Sequence, residues 1–496
     1  MAAILLASSA PAAALLAIPA AAQPSSISSD ALHAAVSDQA VRDFYDAAGW
    51  SAVWSSSAAS SLRQALDDRN RHGLDRVHFL EQPGSRADPA AQEVAQTKAA
   101  LRYASALAHG AVDPASLHDI YTVPRPDSAL AQPLLQAIRD GKLADWFNSL
   151  APQDNSYARL SEAYRDYAKT AGGGSSADIP TSGLIKVGDT DQRVSAIAGQ
   201  LREAEYLDGG ETDAPRYTQR MADAVTRLQT DYGIAADGVI GPQTLQVLNM
   251  RPDDRARALA VALERQRWLT RSPPATRIDV NTAAARLDYF RDGRLVDSRK
   301  VVVGKSGNET PLLMSPIYRL VANPTWTVPK SIENGELANV SQSYLRSRNM
   351  ERKDGWIVQQ PGPDNALGLV KFDMRNDHAI YLHDTSSPEL FTKSERHLSH
   401  GCVRVEDAQG FARMLARDAG IEAQWREATG ADDPQFVDLP QPIPVRLLYR
   451  NVFLDDGGNV AFRTDPYGWN APIARSLGFT GGSTAKARSV ETDIGP

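Results

Sequence analysis

The residues best suited to chemistry crowd one short stretch, Arg396 to Ala408, which reads RHLSHGCVRVEDA. It holds Cys402, the single cysteine of 496 residues, with His397 and His400 just ahead of it and His378 and His383 upstream. A thiol of ordinary acidity, pKa about 8.5, is barely ionised at neutral pH, so a nucleophilic cysteine needs a base or a cation beside it. Four imidazoles offer that base. Gly401, directly before the sulfur, lets another backbone or a substrate come close. The run VEDAQGFARMLARDAG reads as a helix with Phe411, Met414 and Leu415 on one face. That would set the sulfur ahead of a helix N-terminus, where the dipole favours negative charge. Two quieter readings compete. A lone cysteine is often a small buried hydrophobe, and His397, His400 and Cys402 are acceptable metal ligands, although their spacing fits no usual zinc pattern.

Such groups need a rigid frame. From Thr276 the sequence alternates and carries β-branched residues, as in RIDVNTAAARLDYFRDGRLVDSRKVVVG, with a turn at Asp292-Gly293. PIYRLVANPTWTVP, LGLVKFDM and HAIYLHD are further strand candidates, so 276–450 reads as a mostly β domain. A polar, helical stretch over 331–360 interrupts it and has the character of a lid. Residues 23–180 read as a helical scaffold, 181–250 as a small helical unit with glycine turns, and 251–275 as a helical connection. AGGGSSADIPTSG, 171–183, is a linker by composition. Residues 451–496 form an extension expected to fray at its end. The fold class is therefore α+β and multidomain, as the chain length also implies.

The first 22 residues are apolar, alanine-rich, broken by Pro11 and Pro19, and close on Ala20 to Ala22. They read as a signal peptide without its positive start. Export to a periplasm is expected, with a membrane tether if the true start lies upstream. A solitary thiol suits that compartment, having no disulfide partner in its own chain. The balance of 53 basic and 60 acidic residues, net −7, gives no electrostatic reason to expect nucleic acid.

Residues 367–405, LGLVKFDMRNDHAIYLHDTSSPELFTKSERHLSHGCVRV, resemble the catalytic core of the L,D-transpeptidase family, the YkuD-type cysteine enzymes of peptidoglycan cross-linking. The pattern is a strand ending in a histidine, His383, and then Ser399, His400, Gly401, Cys402 and Arg404. Residues 185–249 resemble a three-helix peptidoglycan-binding module through Leu228, Gln229, Gly233, Asp237, Gly238, Gly241, Pro242 and Thr244. NPTWTVPKSI and LERQRWL match the large multidomain branch of the family. The resemblance implies Cys402 as nucleophile and His383 as base, with the Asp384 carbonyl orienting the ring in a triad that needs no carboxylate. Backbone N–H groups of Cys402 and Gly401 and the hydroxyl of Tyr381 are the candidate oxyanion donors. Tyr381 alternates with His383, so both face one side of a strand. Arg404 either binds a substrate carboxylate or holds the loop. His400 is expected to support the loop rather than transfer protons, and Ser399, His400, Arg404 and Trp326 form the expected substrate-binding set. Trp326 either covers the acyl chain or packs as an ordinary aromatic. His378 and His397 are expected at the surface.

The expected reaction begins with attack of Cys402 on a stem tetrapeptide at its third residue, a diamino acid, with loss of the terminal D-alanine. A second stem's amine then takes the acyl group and makes a 3→3 cross-link. Water as acceptor would make the enzyme an L,D-carboxypeptidase. Without catalysis the chain would be a peptidoglycan-binding protein. The expected partners are stem peptides, glycan strands and covalently attached carbapenems. The thioester carries the acyl group unaided, so no cofactor or metal is called for.

Overall fold

The computed structural model describes residues 27–81, 88–170, 178–209 and 215–480. The expected leader, much of the linker and the last part of the C-terminal extension lie outside them.

Twelve strands carry the β-rich half: β1 Arg277–Asn281, β2 Arg286–Arg291, β3 Arg294–Gly304, β4 Met314–Ala322, β5 Trp326–Thr327, β6 Met350–Lys353, β7 Trp356–Gln359, β8 Val370–Met374, β9 Leu382–His383, β10 His397–Ser399, β11 Val403–Val405 and β12 Gln435–Leu448. The main sheet runs β10-β3-β11-β9-β8-β4-β12-β1-β2, and β2 pairs again with β3. That second pairing closes the sheet into a barrel and removes its free edges, with β10 branching off β3. Alternate residues point inward. Ile278, Val280, Leu320, Phe372, Leu382, Val403 and Val405 are fully buried in one cluster. The helix Ala408–Asp418 adds Phe411, Ala412, Leu415 and Ala416 to that cluster. The inward set is apolar, so the outward set of the same strands is left for chemistry.

The lid differs from the helical stretch expected. Lys330–Asn334 and Gln342–Ser347 are helices, but the remainder is a small sheet, β5-β7-β6. An Asp354-Gly355 turn, both at positive φ, reverses the chain between β6 and β7. Trp326, Val328, Ile332, Leu337, Leu345, Met350, Ile357 and Leu367 give the lid an apolar core of its own.

The helical half shares one continuous apolar cluster, from Leu32 through the helices of 194–248 to Trp268. Its centre is the helix Pro252–Arg267. Arg267 is fully buried, bonded to Glu264 at 2.6 Å, to the Tyr157 hydroxyl at 2.8 Å and to the His72 carbonyl at 2.8 Å. Glu264 also accepts from Trp268 Nε1 and from the Val112 N–H. The LERQRWL motif is thus a structural hub. Gly110, at φ +93°, permits this packing, because a Cβ there would sit 2.6 Å from the Trp268 ring. The extension does not fray as early as its composition implies. Asn470–Ser476 is a helix, and Ile473, Leu477 and Phe479 are buried in the same cluster. Two apolar residues one turn apart suffice to dock so short a helix.

Candidate active site around Cys402

Strand pairing assembles the site. Strands β9 and β11 run parallel, with Val403 opposite Leu382 and Arg404 opposite His383. Leu382 and Val403 turn into the barrel, so their neighbours turn out. One face therefore carries Tyr381 and His383 on one strand, and Cys402 and Arg404 on the other. The Val403 N–H donates to the Tyr381 carbonyl at 3.1 Å, which fixes the register beside the sulfur.

The loop that presents Cys402 is cross-braced. Ser399 Oγ donates to the Cys402 carbonyl at 2.6 Å and accepts from the Gly401 N–H at 3.2 Å. Thr310 Oγ1 donates to the Gly401 carbonyl at 2.8 Å and accepts from the Gly304 N–H at 2.9 Å. Gly401 itself lies at φ +117°, a conformation side chains rarely adopt. These bonds correct Gly401 as an oxyanion donor. Its N–H is already committed to Ser399.

Cys402 is 6% exposed, and its thiol donates to the Ala379 carbonyl at 3.6 Å. Burial pushes the thiol up to about 11. The Tyr381 N–H and hydroxyl both act on the sulfur and pull the other way, as do the charges of Lys371 and Arg404. His383 is fully buried, and burial pushes it well below the ordinary imidazole value, with the Arg404 guanidinium adding to the depression. Both groups are therefore neutral at pH 7. His383 and Cys402 share a face but are not hydrogen-bonded, and neither ring nitrogen of His383 meets a partner at hydrogen-bonding geometry. The Asp384 carbonyl still lies near enough to raise the basicity of the ring, as a long and loose acceptor. The Asp384 carboxylate is directed elsewhere, accepting from the Leu369 N–H at 3.0 Å. The Tyr381 and His383 rings meet edge to face, 5.6 Å between centroids.

Arg404 is 1% exposed and lies at the floor of this face. Trp326, equally buried, belongs to the lid core, with Tyr381 packed against that core. His400 reaches to the lid. Its Nε2 lies 2.8 Å from Glu336 Oε1 in the lid and 3.2 Å from Lys305 Nζ.

Two expectations fail here. His397 is buried, not superficial, with Nε2 at 2.9 Å from the Thr282 carbonyl and its ring against Tyr467. Pairing of β10 with β3, His397 opposite Val303, holds it there, and β11 follows Cys402 as a short strand. That same strand, β11, separates the sulfur from the helix beginning at Ala408, by about 10 Å of extended chain. A helix dipole fades within about one turn of its end, so it does not set the acidity of Cys402. Sequence reading also missed Lys371, opposite His383 on β8, and Thr310, under the loop. The alternation of Lys371 and Asp373 with buried Phe372 was the signal available for the first.

Three stretches of the chain match known domain families. Residues 275–429 match the L,D-transpeptidase catalytic domain, YkuD. Residues 39–163 match the Scaffold domain, and 190–248 the "Putative peptidoglycan binding domain". A protein of Haemophilus influenzae described as "Putative L,D-transpeptidase" is 30% identical over 220 residues, which cover 40% of this chain and 45% of that one. The chain thus spans under half the length of that relative. Among solved structures, the L,D-transpeptidase (Yku) from Stackebrandtia nassauensis is 15% identical over 55% of this chain and 97% of its own, at a TM-score of 0.23. An L,D-transpeptidase from Mycobacterium smegmatis is 12% identical over 35% and 58%, at 0.19. Residues 275–429, with their closed barrel and outward Tyr381, His383, Cys402 and Arg404, are a catalytic domain of the L,D-transpeptidase family, carried on one chain with a scaffold domain and a peptidoglycan-binding domain.

Proposed function

We propose that this protein forms 3→3 peptidoglycan cross-links through a thioester on Cys402. One observation carries the reading: the only cysteine shares an outward barrel face with a buried neutral imidazole, a phenol and a guanidinium, inside a domain of this family.

The steps follow from the proton inventory. The Cys402 thiol leaves the Ala379 carbonyl and gives its proton to His383 as the sulfur attacks the carbonyl carbon of the stem's third residue. A neutral, depressed imidazole is available to accept it, and the nearby Asp384 carbonyl steadies the ring. The tetrahedral oxyanion takes hydrogen bonds from the Tyr381 hydroxyl and the Cys402 N–H. The C–N bond then breaks, and the departing D-alanine amine takes the proton from His383. In the second half an amine of another stem attacks the thioester, gives a proton to His383, and Cys402 leaves as a thiol. The lid favours the amine over water by screening the thioester. Arg404 steadies the site by charge beneath His383 and Cys402. The module over 190–248 would hold glycan or stem near the site, and the leader would place the chain in the periplasm. Carbapenems, strained amides that open on a thiolate, would acylate the same sulfur.

The test is product analysis on purified disaccharide tetrapeptides. Wild type should release D-alanine and make dimers, and Cys402→Ala should make none. Tripeptide alone would reassign the chain as an L,D-carboxypeptidase, and dimers from the alanine variant would end the Cys402 reading.

A further inference from the structure

A second feature lies on the barrel's outer face beside the nucleophile. Pairing aligns one residue per strand, each opposite the next: Arg404, His383, Lys371, Val321 and Phe436. In the adjoining row Asp373 stands opposite Arg319, and the antiparallel β8–β9 register, continued one step, brings Asp373 beside Tyr381. Five strands about 4.8 Å apart make a track of about 19 Å, longer than the about 14 Å of an extended tetrapeptide. A cavity of about 340 Å³ opens over this track, walled by Tyr381, Trp326, Lys371, Asp373, Arg319 and Phe436.

Its charge is specific. Asp373 accepts from Arg319 Nε at 3.0 Å and Nη2 at 2.5 Å, and pairs with Lys371 Nζ at 2.9 Å. The carboxylate is 10% exposed, while Arg319 and Lys371 are 30% and 26% exposed. One sunken anion therefore fixes two cations that face the groove, and the trio carries a net positive charge. Both cations are further held by rings: Lys371 Nζ is 4.4 Å from the Tyr381 centroid, and the Arg319 guanidinium is 4.6 Å from that of Phe436. Such a pre-organised pair suits a carboxylate.

We propose that Lys371 and Arg319 form a carboxylate-binding subsite for the donor stem, reading a free carboxylate on the side chain of its third residue. This rests on the acyl-transfer reading above. The carbonyl attacked by Cys402 belongs to that third residue, and Tyr381 both bonds to the sulfur and lines the cavity. A group recognised at Lys371 therefore hangs from the residue being acylated. The subsite commits the donor to an acidic diamino acid and disfavours lysine at that position. The terminal D-alanine carboxylate is the other source of the same chemistry, so the test separates them.

The test uses the full chain and three synthetic tetrapeptides: unmodified with meso-diaminopimelate, amidated on its side-chain carboxylate, and amidated on the terminal carboxylate. Wild type should lose tenfold or more in kcat/KM on side-chain amidation, mainly through KM, and less on terminal amidation. Lys371→Met and Arg319→Gln should lose a similar factor on the unmodified peptide and become indifferent to side-chain amidation. An unchanged thermal unfolding midpoint shows that each variant is folded, and alkylation of Cys402 by neutral iodoacetamide shows that the wild-type thiol is accessible. Equal use of all three peptides by wild type overturns the subsite, as does a preference that survives in both variants. A penalty confined to terminal amidation moves the recognised group to D-alanine and also overturns it. Turnover of none of the peptides, with alkylation intact, removes the acyl-transfer reading and the subsite with it.

Discussion

His400, in the nucleophile loop, and Glu336, in the lid, are hydrogen-bonded, Nε2 to Oε1 at 2.8 Å, with Lys305 Nζ 3.9 Å from the same carboxylate. Burial opposes ionisation of Glu336, but the His400 bond and the Lys305 charge outweigh it and hold the carboxyl below its usual range. The lid is therefore tied to the loop that carries the sulfur. Glu336→Leu should loosen that tie and admit water to the thioester. The ratio of tripeptide to dimer should rise several-fold on disaccharide tetrapeptides, while iodoacetamide alkylation of Cys402 is unchanged or faster. An unaltered ratio would show that the tie does not govern water access.

The resting site is a neutral thiol beside a neutral imidazole. Burial raises Cys402 to about 11, so the thiolate fraction grows about tenfold per pH unit below that value. The rate of alkylation by iodoacetamide should climb steadily from pH 7 to pH 10. A plateau at or below neutral pH would instead reveal a standing thiolate–imidazolium pair.

Among the described residues His383 is the one neutral base that shares the face of Cys402, and positioned proton transfer contributes about 10²–10⁴-fold. His383→Gln should slow acylation of Cys402 by a carbapenem within that range, measured as adduct formation by intact-mass spectrometry. Replacement of His378, which is exposed, should leave the rate unchanged. Equal rates for wild type and His383→Gln would remove His383 from the mechanism.

Several histidines are buried in neutral form, and their sign is common. Burial lowers His397 from 6.5 to about 4, with a hydrogen bond to the Thr282 carbonyl and the Arg396 charge as lesser influences of opposite sign. Below 6.5 the unfolded chain binds a proton that the folded chain refuses. Stability is thus fully present above 6.5 and is lost as pH falls toward 4, by up to about 1.4 kcal/mol per pH unit for each such group. Denaturant titrations at pH 7, 6 and 5 should show this loss, and His397→Gln should reduce the slope.

Glu264 and Arg267 form an ion pair with no exposure on either side chain. Removing one partner strands a buried charge, at a cost of about 3–5 kcal/mol. Arg267→Met should therefore lower the unfolding free energy of the helical half by that amount, measured by denaturant titration followed by tryptophan fluorescence. The double variant with Glu264→Gln should recover part of it, because Gln can still accept from the Val112 N–H and the Trp268 indole. A double variant no better than the single would mean that Arg267 acts by packing.

How much of this was legible in the sequence depends on range. Inward and outward positions of a strand follow from alternation, so the shared side of Tyr381 and His383 was readable from two residues in one segment. The strands themselves, the helical scaffold and the cysteine with its histidines were legible for the same reason. Each is a local pattern of residue type and spacing. Strand partners were not legible, because register between segments is set by how distant apolar faces close a common core. That closure placed Arg404 opposite His383, put Lys371 on the other side of the same imidazole, and slipped β11 between Cys402 and the following helix. It also turned the Gly401 N–H to Ser399 and drew His397 inward. The sequence by itself determined which groups are present and which side of their own strand they take. The tertiary structure alone decided which of them meet, because contacts between segments are chosen by packing and hydrogen-bond satisfaction over the whole barrel.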